Sequence, residues 1–124
     1  LDDKYVDTFP GDGIIVSTPT GSTGYTLSAG GPIIQPDMRL MIISPICPHS
    51  LYSRSFIASE KRTVKINMDH KGELSAMLTL DGQEGFKLKL GDEVYVETAE
   101  KDVLFASVTN YNFYDLLRAK LRTR

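Results

Sequence analysis

Short β-type apolar runs, cut apart by glycine, proline and aspartate every 8–12 residues or so, constrain this chain more than any other feature. Ile14-Ile15-Val16 is β-branched and suits a buried strand. Leu40-Met41-Ile42-Ile43 is a second apolar run, ended by Pro45. Residues 63–68 alternate, with Val64, Ile66 and Met68 on one face and Lys65 and Asn67 on the other. Met77-Leu78-Thr79-Leu80 leads into an Asp81-Gly82 turn, and Phe86-Lys87-Leu88-Lys89-Leu90 alternates until Gly91-Asp92. Residues 94–97 and 103–108 add two strands, and residues 5–9 form an edge-like segment closed by Pro10-Gly11-Asp12-Gly13. The pattern predicts a mainly β, stacked-sheet, β-sandwich-like domain.

Two segments read as helix. Residues 23–29 form a short one, with Ser22 or Thr23 as N-cap. Gly30-Gly31-Pro32 stops it, glycine supplying the left-handed cap and proline blocking extension. The second spans Phe113 to about Leu121, with Phe113, Leu116, Leu117 and Leu121 as one apolar stripe. Asn112 is its N-cap, Asp115 lies in the first turn, and Arg118, Lys120 and Arg122 suit the dipole at its end. This stripe has to pack on the β core or on a neighbouring domain.

With 124 residues the chain builds one core, and its 14 basic against 16 acidic residues exclude a strongly basic nucleic-acid binder. No apolar run approaches the ~18 residues of a membrane helix, and no signal peptide opens the chain. The lone Cys47 excludes an internal disulfide and fits a reduced, cytoplasmic setting. Leu1 stands where an intact protein has Met, so the expectation is a domain cut from a longer protein.

Chemistry concentrates between Ser17 and Ser28, where seven Ser/Thr hydroxyls flank the glycines Gly21 and Gly24 after a buried strand. Hydroxyls, backbone N–H groups and a helix start at one strand end suit a nucleotide, sugar or phosphate. The bland reading is a loop whose hydroxyls cap and turn the backbone. The segment matches neither a Walker loop nor Gly-x-Gly-x-x-Gly, and Gly21-Ser22-Thr23-Gly24 is not a nucleophile elbow. Cys47-Pro48-His49, with His70 the only other histidine, is a poor metal site, and no metal site is expected. His70 falls in a turn-like stretch, the cations Arg118, Lys120, Arg122 and Arg124 read as a solvated helix end, and Asp81-Gly82-Gln83 reads as a strand-end turn.

The stretch from Asp12 to Tyr25, with Thr18-Pro19-Thr20-Gly21-Ser22-Thr23 at its centre, strongly resembles the C-terminal half of the NAD kinases. Ser28-Ala29-Gly30-Gly31-Pro32, residues 45–51, Asp81-Gly82-Gln83 and the Leu117–Leu121 ending follow in that family's order and spacing. The resemblance runs from about Asp7 to Leu121. Diacylglycerol and sphingosine kinases share the architecture but match this string poorly.

The resemblance implies an enzyme that phosphorylates the adenosine ribose 2′-hydroxyl of NAD, giving NADP, from ATP or polyphosphate with Mg²⁺. It places Asp12 against the dinucleotide. It lines the pocket with Thr23, Gly24, Tyr25, Thr26, Leu27 and Ser28, sets Cys47 there through its backbone, and makes Gln83 a further contact. Gly24 stands where most members have alanine, and Pro10 stands where many carry a basic residue whose charge it cannot supply. The family's Gly-Gly-Asp-Gly motif and its Asn-Glu/Asp pair belong to an N-terminal catalytic domain, and neither is in this chain. The expectation is therefore an NAD-binding, oligomerising C-terminal domain, inactive alone. Its partners would be NAD or NADP, its own N-terminal domain and further copies in a homodimer or homotetramer. The alternative is a non-catalytic module that binds NAD or NADP.

Overall fold

The computed structural model describes residues 1–68 and 75–122. Among the described residues, seven strands and two helices follow in the order β1 (Gly13–Ser17), α1 (Tyr25–Ser28), β2 (Leu40–Ile46), β3 (Phe56–Ser59), β4 (Val64–Asn67), β5 (Ala76–Leu80), β6 (Glu84–Leu88), β7 (Glu93–Val96) and α2 (Phe113–Arg122). A turn of 3₁₀ helix, Thr20–Thr23, precedes α1. All pairing is antiparallel: β1-β2-β3 form one sheet, β4-β7 a second and β5-β6 a third. The mainly β, stacked arrangement expected from the sequence is present.

Alternation decides which face of each strand is covered. Ile14 and Val16 of β1 pair with Pro45 and Ile43 of β2, and Met41 pairs with Ala58 of β3. Met41, Ile43, Ala58 and Val64 make the buried core, with Ile14, Val16, Ile66 and Val96 packed against it. The first sheet therefore lies on the β4-β7 sheet. The outer face of β4-β7 is polar: Lys65 bonds Glu93 at 3.2 Å and lies over the Tyr95 ring, whose hydroxyl donates to Glu93 at 2.7 Å.

Several expectations need correction. β2 does not end at Pro45 but runs on to Ile46. Its pairing with β3 stops at Ile43, so at Pro45 one side of β2 carries no strand, and a residue without an N–H fits there. β3 was not expected, because Phe56-Ile57-Ala58-Ser59 neither alternates nor makes a long apolar run. β6 lies two residues before the alternating run at 86–90, because it pairs back onto β5 across Asp81-Gly82, both at positive φ. Residues 5–9 and 103–108 are not strands; Leu104 and Val108 are over nine-tenths exposed. Strand propensity needs a partner, and these segments find none among the described residues.

The helices are partly as read. Asn112 caps α2, its Oδ1 accepting the Asp115 N–H at 2.9 Å, and Arg118 pairs with Asp115. The apolar stripe is only half covered, with Leu116 and Leu121 exposed. His70 and its turn, and Arg124, lie outside the described residues.

Leu1 packs on the core and Asp2 fastens the chain start, accepting the Thr63 N–H at 2.8 Å and pairing with Arg62 at 2.8 Å. The Thr63 N–H first, then Arg62, holds the Asp2 carboxyl below its ordinary 3.8. A carboxyl lowered on folding contributes stability above its unfolded value, lost as pH falls through the folded one. The Tm of the chain is expected to drop as pH goes from about 5 to about 3, less steeply in Asp2→Asn. Thermal melts across that range test it, and identical slopes would refute the contribution.

Candidate functional site

The hydroxyl-rich segment turns back over the sheet on the face opposite the core. On β2 that face carries Ile42 and Ser44, both fully buried, paired with Ser17 and Ile15 of β1. A Cβ on Gly31 would sit 2.5 Å from Thr26 Cγ2 and 3.0 Å from Ser44 Oγ, so α1 and the chain after it pass directly over Ser44. The close approach requires glycine. Ser44 Oγ in turn bonds Ser55 Oγ at 2.8 Å.

The seven hydroxyls divide into two groups. Ser17 donates to the Thr18 carbonyl at 2.7 Å, Thr18 Oγ1 accepts the Gly21 N–H at 3.2 Å, and Thr23 donates to the Thr20 carbonyl at 3.5 Å. Ser22, fully buried, accepts the Ile34 N–H at 3.0 Å and donates to the Ile34 carbonyl at 3.4 Å. Thr26 is buried against Gly31. These hydroxyls build the loop, as the bland reading holds. Thr20 and Ser28 are exposed, and their hydroxyls make no hydrogen bond among the described residues. Those two hydroxyls and the exposed Tyr25 ring face solvent, where a ligand could reach them. Thr20 is one of the seven hydroxyls but not one that the resemblance sets in the pocket, and in sequence hydroxyls bonded inward and outward look the same.

Neither Ser22 nor Thr23 caps α1; Gly24 occupies the cap position with no side-chain bond. Ser22 is spent instead on Ile34, twelve positions away. With four residues α1 is a single turn, so it carries little macrodipole to hold an anion. Its end is as expected: the Gly30 N–H donates to Leu27 O at 3.0 Å and the Gly31 N–H to Thr26 O at 2.8 Å, with Gly30 at φ 84°. This is the paired bonding of a Schellman cap.

Asp12 and Cys47 meet at the opposite end of β1, whose five residues span roughly 16 Å. The Asp12 N–H donates to Ile46 O at 3.0 Å and the His49 N–H to Pro10 O at 2.7 Å. A Cβ on Gly11 would lie 2.9 Å from Ile46 O and 3.0 Å from Cys47 O, so these backbones touch. Cys47 is exposed, at φ 44°. Gln83 sits apart in the β5-β6 turn, its N–H donating to Leu80 O. The structure thus gathers Thr23, Gly24, Tyr25, Thr26, Leu27 and Ser28 on one side of the sheet, joins Asp12 to Cys47 at its edge, and leaves Gln83 on a separate hairpin.

Two hollows lie elsewhere, one beside Arg39, Glu60 and Asp102 and one beside Asp2, Thr63, Lys65 and Tyr95. Arg39, Glu60, Asp102, Asp2 and Lys65 each have an ion-pair partner. Arg39 forms a two-pronged pair with Asp102 at 3.0 and 3.1 Å, which holds the Asp102 carboxyl below its ordinary range and raises the guanidinium. Bonds from Tyr95 and Lys65 lower Glu93, and Glu93 in turn raises Lys65 and Tyr95. Exposed pairs of this kind contribute little to stability. The open face carrying Tyr25 and Ser28 is the better candidate site, because one helical turn there carries an exposed aromatic ring and an exposed hydroxyl. No cluster of metal-ligating side chains occurs among the described residues.

The family model of the ATP-NAD kinase C-terminal domain matches residues 1–108. NAD kinase of Acetivibrio thermocellus is 44% identical over all 124 residues, which correspond to 43% of that protein. NAD kinase of Caldanaerobacter subterraneus is 46% identical over the whole chain and 44% of its own length. Among solved structures, an NAD kinase from Archaeoglobus fulgidus in complex with ATP superposes with a TM-score of 0.80 at 30% identity, over 99% of this chain and 46% of that one. Yeast NADH kinase complexed with NADH gives 0.71 at 38% identity, over 77% of this chain and 27% of that one. The chain spans somewhat under half the length of the relatives it matches.

The Schellman cap gives a local test. Gly30→Ala meets open space and only the strain of positive φ, so it should cost about 1 kcal/mol. Gly31→Ala meets Thr26 and Ser44 and should cost more, about 2–3 kcal/mol. Urea denaturation of both variants measures the difference; equal midpoints would contradict the packing described.

Proposed function

From the premise that the chain belongs to the ATP-NAD kinase C-terminal domain family, we propose that it is the NAD-binding half of an NAD kinase. The full-length enzyme transfers a phosphoryl group from ATP or polyphosphate to the adenosine ribose 2′-hydroxyl of NAD. The 2′-oxygen forms the new P–O bond, the donor's terminal phosphoanhydride breaks, and the hydroxyl proton leaves to a base. That base would be the family's Gly-Gly-Asp-Gly aspartate, outside this chain, and a divalent cation bound with the donor would offset its charge. In this chain Asp12, Thr23, Gly24, Tyr25, Thr26, Leu27, Ser28, Cys47 and Gln83 serve the dinucleotide. Thr26, being buried, serves through its backbone and its packing. The enzyme works in the cytoplasm as a homodimer or homotetramer.

One observation carries this reading: the family match runs through every one of these residues, all within 1–108. The exposed Tyr25 ring and Ser28 hydroxyl supply what a nucleotide needs, a stacking surface and a hydrogen-bonding group.

Incubation with NAD, ATP and Mg²⁺, with NADP measured, tests it. The full-length protein is expected to make NADP and the 124-residue chain none. NADP formation by the chain alone would overturn the division of labour. NAD binding without turnover in the full-length protein would favour a non-catalytic module. Asp12→Ala in the full-length protein should raise the KM for NAD roughly tenfold or more, the loss of a charge-assisted hydrogen bond. An unchanged KM would remove Asp12 from the site.

A further inference from the structure

We propose that Ser22 is a positioning residue for the dinucleotide, acting by tying off the segment that carries its contacts. The inference rests on the NAD-binding reading above. Ser22 is fully buried, so it has no surface to offer a ligand. Both hydrogen-bonding functions of its hydroxyl go to one backbone residue: Oγ accepts the Ile34 N–H at 3.0 Å and donates to the Ile34 carbonyl at 3.4 Å. The two residues stand twelve positions apart and bracket residues 23–33.

That bracket holds the exposed Tyr25 and Ser28 together with the cap at Gly30 and Gly31. Inside it, the cap bonds Gly30 to Leu27 and Gly31 to Thr26 are local, each spanning a few residues. They shape α1 without fixing where it sits on the sheet. The Ser22–Ile34 clamp joins the two ends of the segment and so limits the loop as a whole. Without the hydroxyl, the Ile34 N–H and carbonyl lose their partner in a part-buried place, and the segment has to shift to reach water. Tyr25 and Ser28 shift with it. Small misplacements of binding groups are felt steeply.

The test uses full-length protein bearing Ser22→Ala, Ser22→Cys or Asn112→Ala. Asn112→Ala is the control: it deletes the cap bond of α2 and touches neither the bracketed segment nor Ser44 beneath it. Ser22→Ala is expected to raise the KM for NAD roughly tenfold, with the KM for ATP and kcat at saturating NAD within about twofold of the parent. Ser22→Cys, close in size and a weak hydrogen-bonding group, should fall between the parent and Ser22→Ala. Asn112→Ala should lower Tm through the lost helix cap while leaving the KM for NAD unchanged. A folded Ser22→Ala with an unchanged KM for NAD overturns the inference. So does the same KM rise in Asn112→Ala, and so does failure of both Ser22 variants to fold, which makes Ser22 an ordinary core residue. A parent protein that forms no NADP fails the functional reading, and this inference with it. An active parent with an indifferent Ser22 fails this inference alone.

Discussion

β2 organises the domain because its two faces are committed to different work. It is bonded on both edges, to β1 and to β3, and five of its seven residues are buried. Met41 and Ile43 point into the hydrocarbon core shared with β4 and β7. Ile42 and Ser44, on the other face, receive the hydroxyl-rich segment. The inter-sheet core therefore sets the plane on which that segment rests. Because side chains on a strand alternate with period two, a slip of one residue would exchange the two faces and lose both at once.

The composition of the segment follows from how closely it passes over β2. Backbone running above a sheet must satisfy its polar groups and leave room for them. Gly31 removes a side chain where Thr26 and Ser44 stand, and Ser22 supplies a compact donor and acceptor for Ile34. Small hydroxyl residues meet both needs, since they pack tightly and still hydrogen-bond. The run Thr18-Pro19-Thr20-Gly21-Ser22-Thr23 thus carries an architectural requirement and a candidate ligand surface in one string, with inward and outward hydroxyls interleaved.

Local chemistry was legible in the sequence, and commitments made across long range were not. The alternation at Val64 and Ile66, the Asp81-Gly82 turn, the Gly30-Gly31 stop and the Asn112 cap each depend on neighbours within a few residues, and each stands in the structure. Ser22 was misread as a cap because its real partner, Ile34, is twelve residues away. β3 was missed because it exists by virtue of β2, its own residues showing no clean period. Residues 103–108 differ for the converse reason: Val103, Leu104 and Phe105 have strand propensity but no strand beside them among the described residues. Within the site, the loop's importance was legible from its residue types. The split between buried Ser22 and Thr26 and exposed Tyr25 and Ser28 depends on the fold-back over β2, which no local pattern encodes.

An open face also limits what this chain does by itself. Ligand pockets generally cover about 70–90% of a small ligand, and that enclosure supplies much of the affinity and the dry surroundings. Here the candidate groups lie on a surface, at two ends of β1 and on a separate hairpin, and the hollows beside Arg39 and Lys65 lie away from them and hold ion pairs. On the reading proposed above, this half supplies discrimination: an aromatic ring, outward hydroxyls and the Asp12 carboxylate set where a dinucleotide lies. Cover, donor and base come from the remainder of an enzyme whose relatives are more than twice as long. Such a division places the demand for rigidity on this half, because a ligand closed over from one side is held only as accurately as the surface beneath it. The buried hydroxyl clamp, the Schellman cap and the glycine contacts at positions 11 and 31 are all devices for rigidity, and all lie under or beside that surface.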